Sequence, residues 1–319
     1  MNSASRIVLA SPQRYADLGR LWHRFVRREL QPAFAHCGAQ LGVNIFCDGD
    51  AAGFGSDRFP GVSFSRPAPA MRDFMEFYDA SLRQSCEFLL FADADVFFLD
   101  GRWVASYFNA FEDPSVAAVS FVPRKGRPAI FALLCRTEAY RLLPAPALAC
   151  RYEFPNMWPN GVNLQPGDFA TRELAKMGKR IVNICADESS RHVAMFRSTT
   201  GVRATREQIT QASGLQAFYE FLAQNPLCIA ATYDNLLLGT LYERIFGEAF
   251  AVDPSGTPFG GSVTVAELKM ALSNMHDREE RAKMQQKFHS SQQSIARLAA
   301  YESLELEFDV LTTDLGLQR

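Results

Sequence analysis

Apolar positions along this 319-residue chain recur in two periods, and the two alternate. Residues 6–10 (RIVLA) form a short apolar run that ends in Ser11-Pro12 and predicts a strand. Tyr15, Leu18, Leu21, Trp22, Phe25 and Val26 follow at helical spacing. "LGVNIFCDG" (41–49) predicts a second strand, halted by Asp48-Gly49-Asp50. A loop rich in Gly, Pro and Ser runs from Ala51 to about Ala70, and "MRDFMEFYDASLRQS" (71–85) is the next helix. It delivers the chain to "CEFLLFADADVFFLD" (86–100), a third strand. Strand, helix, strand, helix, strand in one hundred residues predicts an α/β fold with a mostly parallel sheet flanked by helices.

After Asp100-Gly101 the pattern predicts a helix over Arg102 to Phe111, then two strands, "VAAVSFV" and "AIFALLC", joined by a basic turn from Pro123 to Pro128. The stretch from Leu142 to Pro166 is rich in Pro, Asn and aromatics and reads as irregular. "DFATRELAKMG" is a helix with Gly178 as its stop, and "KRIVNICA" a strand. From Arg203 to Phe250 the pattern is helical, with breaks at Gly214 and Pro226. A Pro/Gly linker, Asp253 to Gly261, precedes a charged helical tail, in which Thr264 and Glu267 have the capping-box spacing. The tail's apolar positions are too sparse for a coiled coil. These breaks divide the chain into a domain over 1–260, with halves at 1–125 and 126–202 and a helical extension at 203–260, and a C-terminal helical appendage at 261–319.

Composition narrows the class. A hydrophobic content of 48% supports a full core, and 26 Phe make it aromatic. Lys+Arg 33 against Asp+Glu 35 leaves a net charge of -2, so no global field favours nucleic acid or an anionic membrane. Seven scattered cysteines without a C-x-x-C pair predict reduced structural thiols in a cytoplasm. No charged-then-apolar leader opens the chain, and no apolar run approaches the ~18 residues of a membrane span. The expectation is a cytoplasmic protein, with a homodimer or membrane-surface contact left to the C-terminal helices.

The chemistry concentrates in the third strand. Asp93 and Asp95 stand one residue apart between Phe88-Leu89-Leu90-Phe91 and Val96-Phe97-Phe98-Leu99. Burying an unpaired carboxylate costs several kcal/mol or forces its protonation. A bound cation, a phosphate-metal complex or a loop open to water would make the pair tolerable. In mostly parallel sheets ligands sit beyond the carboxyl ends of strands, where Asp48, Asp93 and Asp95 all fall.

An apolar strand ending in D-x-D after two βα units resembles the GT-A (Rossmann-like) fold of nucleotide-sugar-dependent glycosyltransferases. The resemblance implies that Asp95 binds Mn2+ or Mg2+ and that Asp93 is shared between the metal and the donor's ribose. Such hard ions prefer oxygen ligands and share carboxylates with phosphates. "PGDFATRELAKMGKRIVNICADESSRHVAMFRSTTG" (166–201) is similar to a stretch of inverting members. There an acidic residue opens a helix, a glycine ends it before a strand, and a His and a Ser lie in the following loop. On that likeness Asp168 is the general base and His192 completes the metal site. Gly167 stands where the family often has Glu. Asp48 is similar to the base- and ribose-contacting aspartate, Arg72 to the nucleotide-contacting basic residue, and Trp158, Asn160 and Asn163 to the acceptor site. A UDP-sugar is the favoured donor and a GDP-sugar the alternative, with a saccharide or other hydroxyl-bearing acceptor. The resemblance covers residues 6 to about 201.

Plainer roles stand beside these. Asp168 serves equally as a helix N-cap, His192 as a surface loop residue, and Arg124, Lys125 and Arg127 as a solvated hairpin. Asp234-Asn235 reads as a helix cap. "DADVF" and "GDFATRELAKMG" also fit haloacid-dehalogenase-type phosphatases, but the later motif's second acid would fall at Arg172, and two βα units precede the D-x-D. A nucleotidyltransferase is disfavoured because no G-x-G-x-R loop follows the first strand. A catalytically silent module that binds saccharide or a partner protein is the third alternative.

Overall fold

The computed structural model describes residues 5–13, 15–47, 53–65, 77, 80–82, 86–121, 132–143, 168–184, 189–196, 226–250 and 265–306. The chain divides into two compact units, Met1–Val193 and Ala194–Arg319.

In the first unit, β1 (Ser5–Gln13) leads into α1 (Ala16–Phe25). A π-helical turn (Val26–Leu30) and α2 (Gln31–His36) continue that helix to β2 (Ala39–Cys47). The strands β3 (Val62–Ser65), β4 (Phe88–Ala92) and β5 (Val96–Phe98) precede α3 (Trp103–Ala110). Next come β6 (Val116–Ser120), β7 (Ala132–Arg136), α4 (Thr137–Arg141) and α5 (Asp168–Lys176). The strand β8 (Arg180–Asn183) and the short α6 (Ser189–His192) bring the chain to β9 (Val193–Met195).

Seven strands form one sheet in the order β3-β2-β1-β4-β7-β6-β8. Every described pairing is parallel except those of β7, which runs antiparallel to both β4 and β6. The mostly parallel α/β class read from the sequence is thus observed, and the antiparallel course of β7 is added by the structure. Boundaries shift by a few residues at several strands, and two of the shifts have a plain cause. The first strand runs through Ser11-Pro12, because β2 continues beside it as far as the Gln13–Cys47 pair. The third strand ends at Ala92, where the two aspartates interrupt it. Gly178 stops α5 as expected, at φ +70, with its own amide on the Ala175 carbonyl.

Alternation along the strands gives the sheet two buried faces. One gathers Val8, Ala10, Phe46, Leu89, Phe91, Leu133 and Cys135 under Tyr140 of α4 and Ala170 and Leu174 of α5. The other is the aromatic layer that the Phe count anticipates. Trp103 of α3 lies 4.6 Å from Tyr107, 4.8 Å from Phe121 and 5.9 Å from Phe98, ring centre to ring centre. Phe34 meets Trp103 edge-on, and Phe25 meets Phe97 likewise.

α3 approaches α2 closely, and Gly101 is the reason it can. A Cβ there would overlap the Ala33 methyl and sit 2.5 Å from the Glu29 carbonyl oxygen. Gly101→Ala is therefore expected to lower stability by about 1–3 kcal/mol in urea denaturation. A loss under about 0.5 kcal/mol would show that the two helices separate freely.

His23 of α1 is 3% exposed, lies 5.8 Å from the Phe59 ring, and its Nε2 finds no hydrogen-bond partner among the described residues. Burial, with Arg27 adding to it, lowers its pKa from 6.5 to about 4. The folded ring stays neutral while the unfolded chain takes up a proton below 6.5. Stability is therefore whole above about pH 6.5 and falls as pH drops through about 4, by about 3 kcal/mol. Thermal unfolding across that window should show wild type losing more stability than His23→Leu. Equal slopes would contradict this.

Cys37, Cys47, Cys86 and Cys135 are free thiols, as their scatter predicts, and Cys150, Cys185 and the Cys228 side chain lie outside the described residues. Burial raises the pKa of each of Cys37, Cys86 and Cys135, which disfavours the reactive thiolate.

The second unit contains α7 (Pro226–Phe246), α8 (Val265–Ser273) and α9 (Arg278–Tyr301). The Asp277 side chain caps α9 by accepting from the Glu279 and Glu280 amides at 2.8 and 3.2 Å. Asp234 and Asn235 do not cap a helix, contrary to the sequence reading. They lie in the interior of α7, which begins at Pro226. α9 buries Met284, Phe288, Ser291, Ile295 and Leu298, a four-three spacing whose serine made the seam look sparse. The Thr264 hydroxyl and Glu267 side chain lie outside the described residues. Among the described residues no helix is long and apolar enough to cross a membrane.

Candidate functional site

The chain lays β1, β2 and β3 outward in one direction, then returns to place β4 on the other side of β1. At such a reversal the connections at the carboxyl ends of the two central strands diverge and leave a crevice. Asp93 and Asp95 stand there. β4 pairs with β1 through Ala10↔Phe91; Asp93 directly follows its last paired position, Ala92, and Asp95 comes two residues later.

The local geometry is a tight turn. The Asp93 carbonyl accepts from the Val96 amide at 3.3 Å, so the chain folds back immediately into β5. Ala92 and Ala94 are buried, whereas Asp93 and Asp95 are half-buried. Two carboxylates thus share one turn, flanked by core on both sides.

Other polar groups collect at the same carboxyl edge while the amino halves of the strands stay apolar. On β1, Gln13 Nε2 donates to Ser11 Oγ at 3.0 Å, and both side chains are fully buried. Ser65, at the end of β3, donates to Asn44 Oδ1 of β2 at 3.1 Å. In the first turn of α1, Asp17 accepts from Arg58 Nη2 at 2.5 Å, with only 6% of the Asp17 side chain exposed. Ion pairs this buried hold a loop to a fixed place more than they add stability.

His192 is not a surface residue. It is 5% exposed, its ring stacks on Phe121 at 5.9 Å, and its carbonyl accepts from the Leu99 amide at 2.7 Å. Its Nδ1 lies 2.7 Å from Asp100 Oδ1. Burial would raise the pKa of Asp100, but hydrogen bonds from Arg102 and His192 outweigh it and lower the pKa below the ordinary value. An ionised Asp100 can only accept, so Nδ1 carries the proton and Nε2 is left as the ring's lone-pair nitrogen in the neutral form. Glu29 stands nearby. Burial raises its pKa, Arg28 opposes this, and the Asp100 charge reinforces it.

Asp100 is a residue that sequence reasoning missed. Asp-Gly before a helix reads as punctuation, and the partner lies 92 positions away. Gln13, Asp17 and Arg58 were missed for the same reason, since each is an ordinary polar residue until strand order brings it to the edge.

Of the residues singled out in the sequence, Asp93 and Asp95 share one turn, and His192 joins Asp100 five positions beyond Asp95. Asp168 opens α5, although its side chain lies outside the described residues. Asp48, Arg72, Trp158, Asn160 and Asn163, with Arg124, Lys125 and Arg127, also lie outside them. Among the described residues no group of three or more His, Cys, Asp or Glu could hold a metal ion.

No protein-family model matches the chain, and no curated protein matches it. Solved structures do align with it. A mannosyltransferase of Pyrobaculum calidifontis, determined with GDP-Man and Mn2+, aligns over 96% of this chain and 77% of its own, at 16% identity and a TM-score of 0.43. TarS of S. aureus aligns over 95% of this chain and 94% of its own, at 11% identity and a TM-score of 0.36. The glycosyltransferase GlyE of Streptococcus pneumoniae aligns over 67% of this chain and 53% of its own, at 12% identity and a TM-score of 0.37.

Proposed function

We propose that this chain is a divalent-metal-dependent glycosyltransferase that moves a sugar from a nucleoside-diphosphate donor to an acceptor hydroxyl with inversion. The observation that carries the reading is the position of Asp93-Ala94-Asp95, two half-buried carboxylates on one turn at the switch point of a mostly parallel sheet.

The donor set fits a hard cation. Two carboxylates leave most of an octahedral shell to phosphate oxygens and water, which suits Mn2+ or Mg2+ shared with a diphosphate. Sharing one ion between these carboxylates and the donor's diphosphate predicts that metal and nucleotide bind together. When bound, the ion would neutralise the diphosphate and stabilise it as a leaving group.

The chain's own residues then divide the work. Asp95 would bind the metal, and Asp93 would serve both the metal and the donor's ribose. His192 would offer Nε2, with its ring held by Asp100 and Phe121. Asp48 and Arg72 would hold the nucleoside, and Trp158, Asn160 and Asn163 the acceptor. Asp168 would take the proton from the acceptor hydroxyl as that oxygen bonds to the anomeric carbon and the bond to phosphate breaks. Retention of configuration in the product would remove Asp168 from that role and leave the metal-binding roles standing.

A thermal-shift panel of UDP, GDP, CDP and their sugars, each with and without Mn2+, tests this reading. One nucleotide should stabilise the protein only with metal present, by about 2.7 kcal/mol at a hundredfold excess over Kd. UDP is the expected base. No shift with any nucleotide would overturn the proposal.

A further inference from the structure

We draw no further inference here: the strongest candidate, the fully buried Gln13 side chain at the carboxyl end of β1, whose Oε1 finds no hydrogen-bond partner among the described residues, belongs to the site already described.

Discussion

Asp95→Ala is expected to abolish the joint stabilisation by nucleotide and Mn2+ and to reduce sugar transfer at least about a hundredfold, equivalent to ~2.7 kcal/mol on the barrier. The physical reason is the role proposed for Asp95: a hard cation shared with a diphosphate is held by carboxylate oxygens, and the alanine removes one of the two carboxylates on this turn. The same variant should keep the fold. Asp95 stands on a half-buried turn beyond Ala92, the last paired residue of β4, so its truncation removes no described strand pairing. The discriminating measurement is therefore a pair, the unfolding temperature without ligand and the shift with nucleotide plus metal. An unchanged first value with a vanished second supports a metal-binding carboxylate. A collapse of the first would assign Asp95 a structural role and remove the basis of the proposed function.

Trp103→Ala should destabilise the protein by about 3–5 kcal/mol, as expected for a buried indole truncated inside a packed layer. Trp103 is 1% exposed and touches Phe34, Phe98, Tyr107 and Phe121, which come from four separate segments of the chain. No single neighbour can collapse into the space it would leave. Its Nε1 also donates to the Asp100 carbonyl at 3.0 Å, on the residue that orients His192. Urea denaturation of Trp103→Ala and Trp103→Phe separates the two contributions. The phenylalanine keeps most of the packing but loses the hydrogen bond, so it should cost about 1 kcal/mol for the bond plus a smaller cavity term. A loss below about 2 kcal/mol for the alanine would mean that the aromatic layer repacks around the gap.

Much of this architecture is legible in the chain because it is local. The helical period identifies α3 and α5 to within a few residues, since a 3.6-residue repeat needs no knowledge of the rest of the molecule. Gly178 ends α5 where the reading places the stop. Misreadings arise where a distant partner overrides the local signal. Pro12 looks like a strand end, but pairing with β2 carries β1 on to Gln13. Asp234-Asn235 looks like a cap, but α7 begins eight residues earlier. His192 reads as a loop residue until Phe121 and Asp100 are seen around it.

By itself the sequence determined that the chain alternates strands and helices, that it builds an aromatic core, and that two carboxylates interrupt an apolar strand. These follow from side-chain pattern and from the cost of burying charge, both properties of residues and their immediate neighbours. Only the tertiary structure decided that β4 lies beside β1 at the switch point, that β7 runs against its neighbours, and that Asp100 and His192 meet. Strand order and cross-chain pairs depend on which surfaces pack best over long loops, and those energies belong to no single stretch of residues.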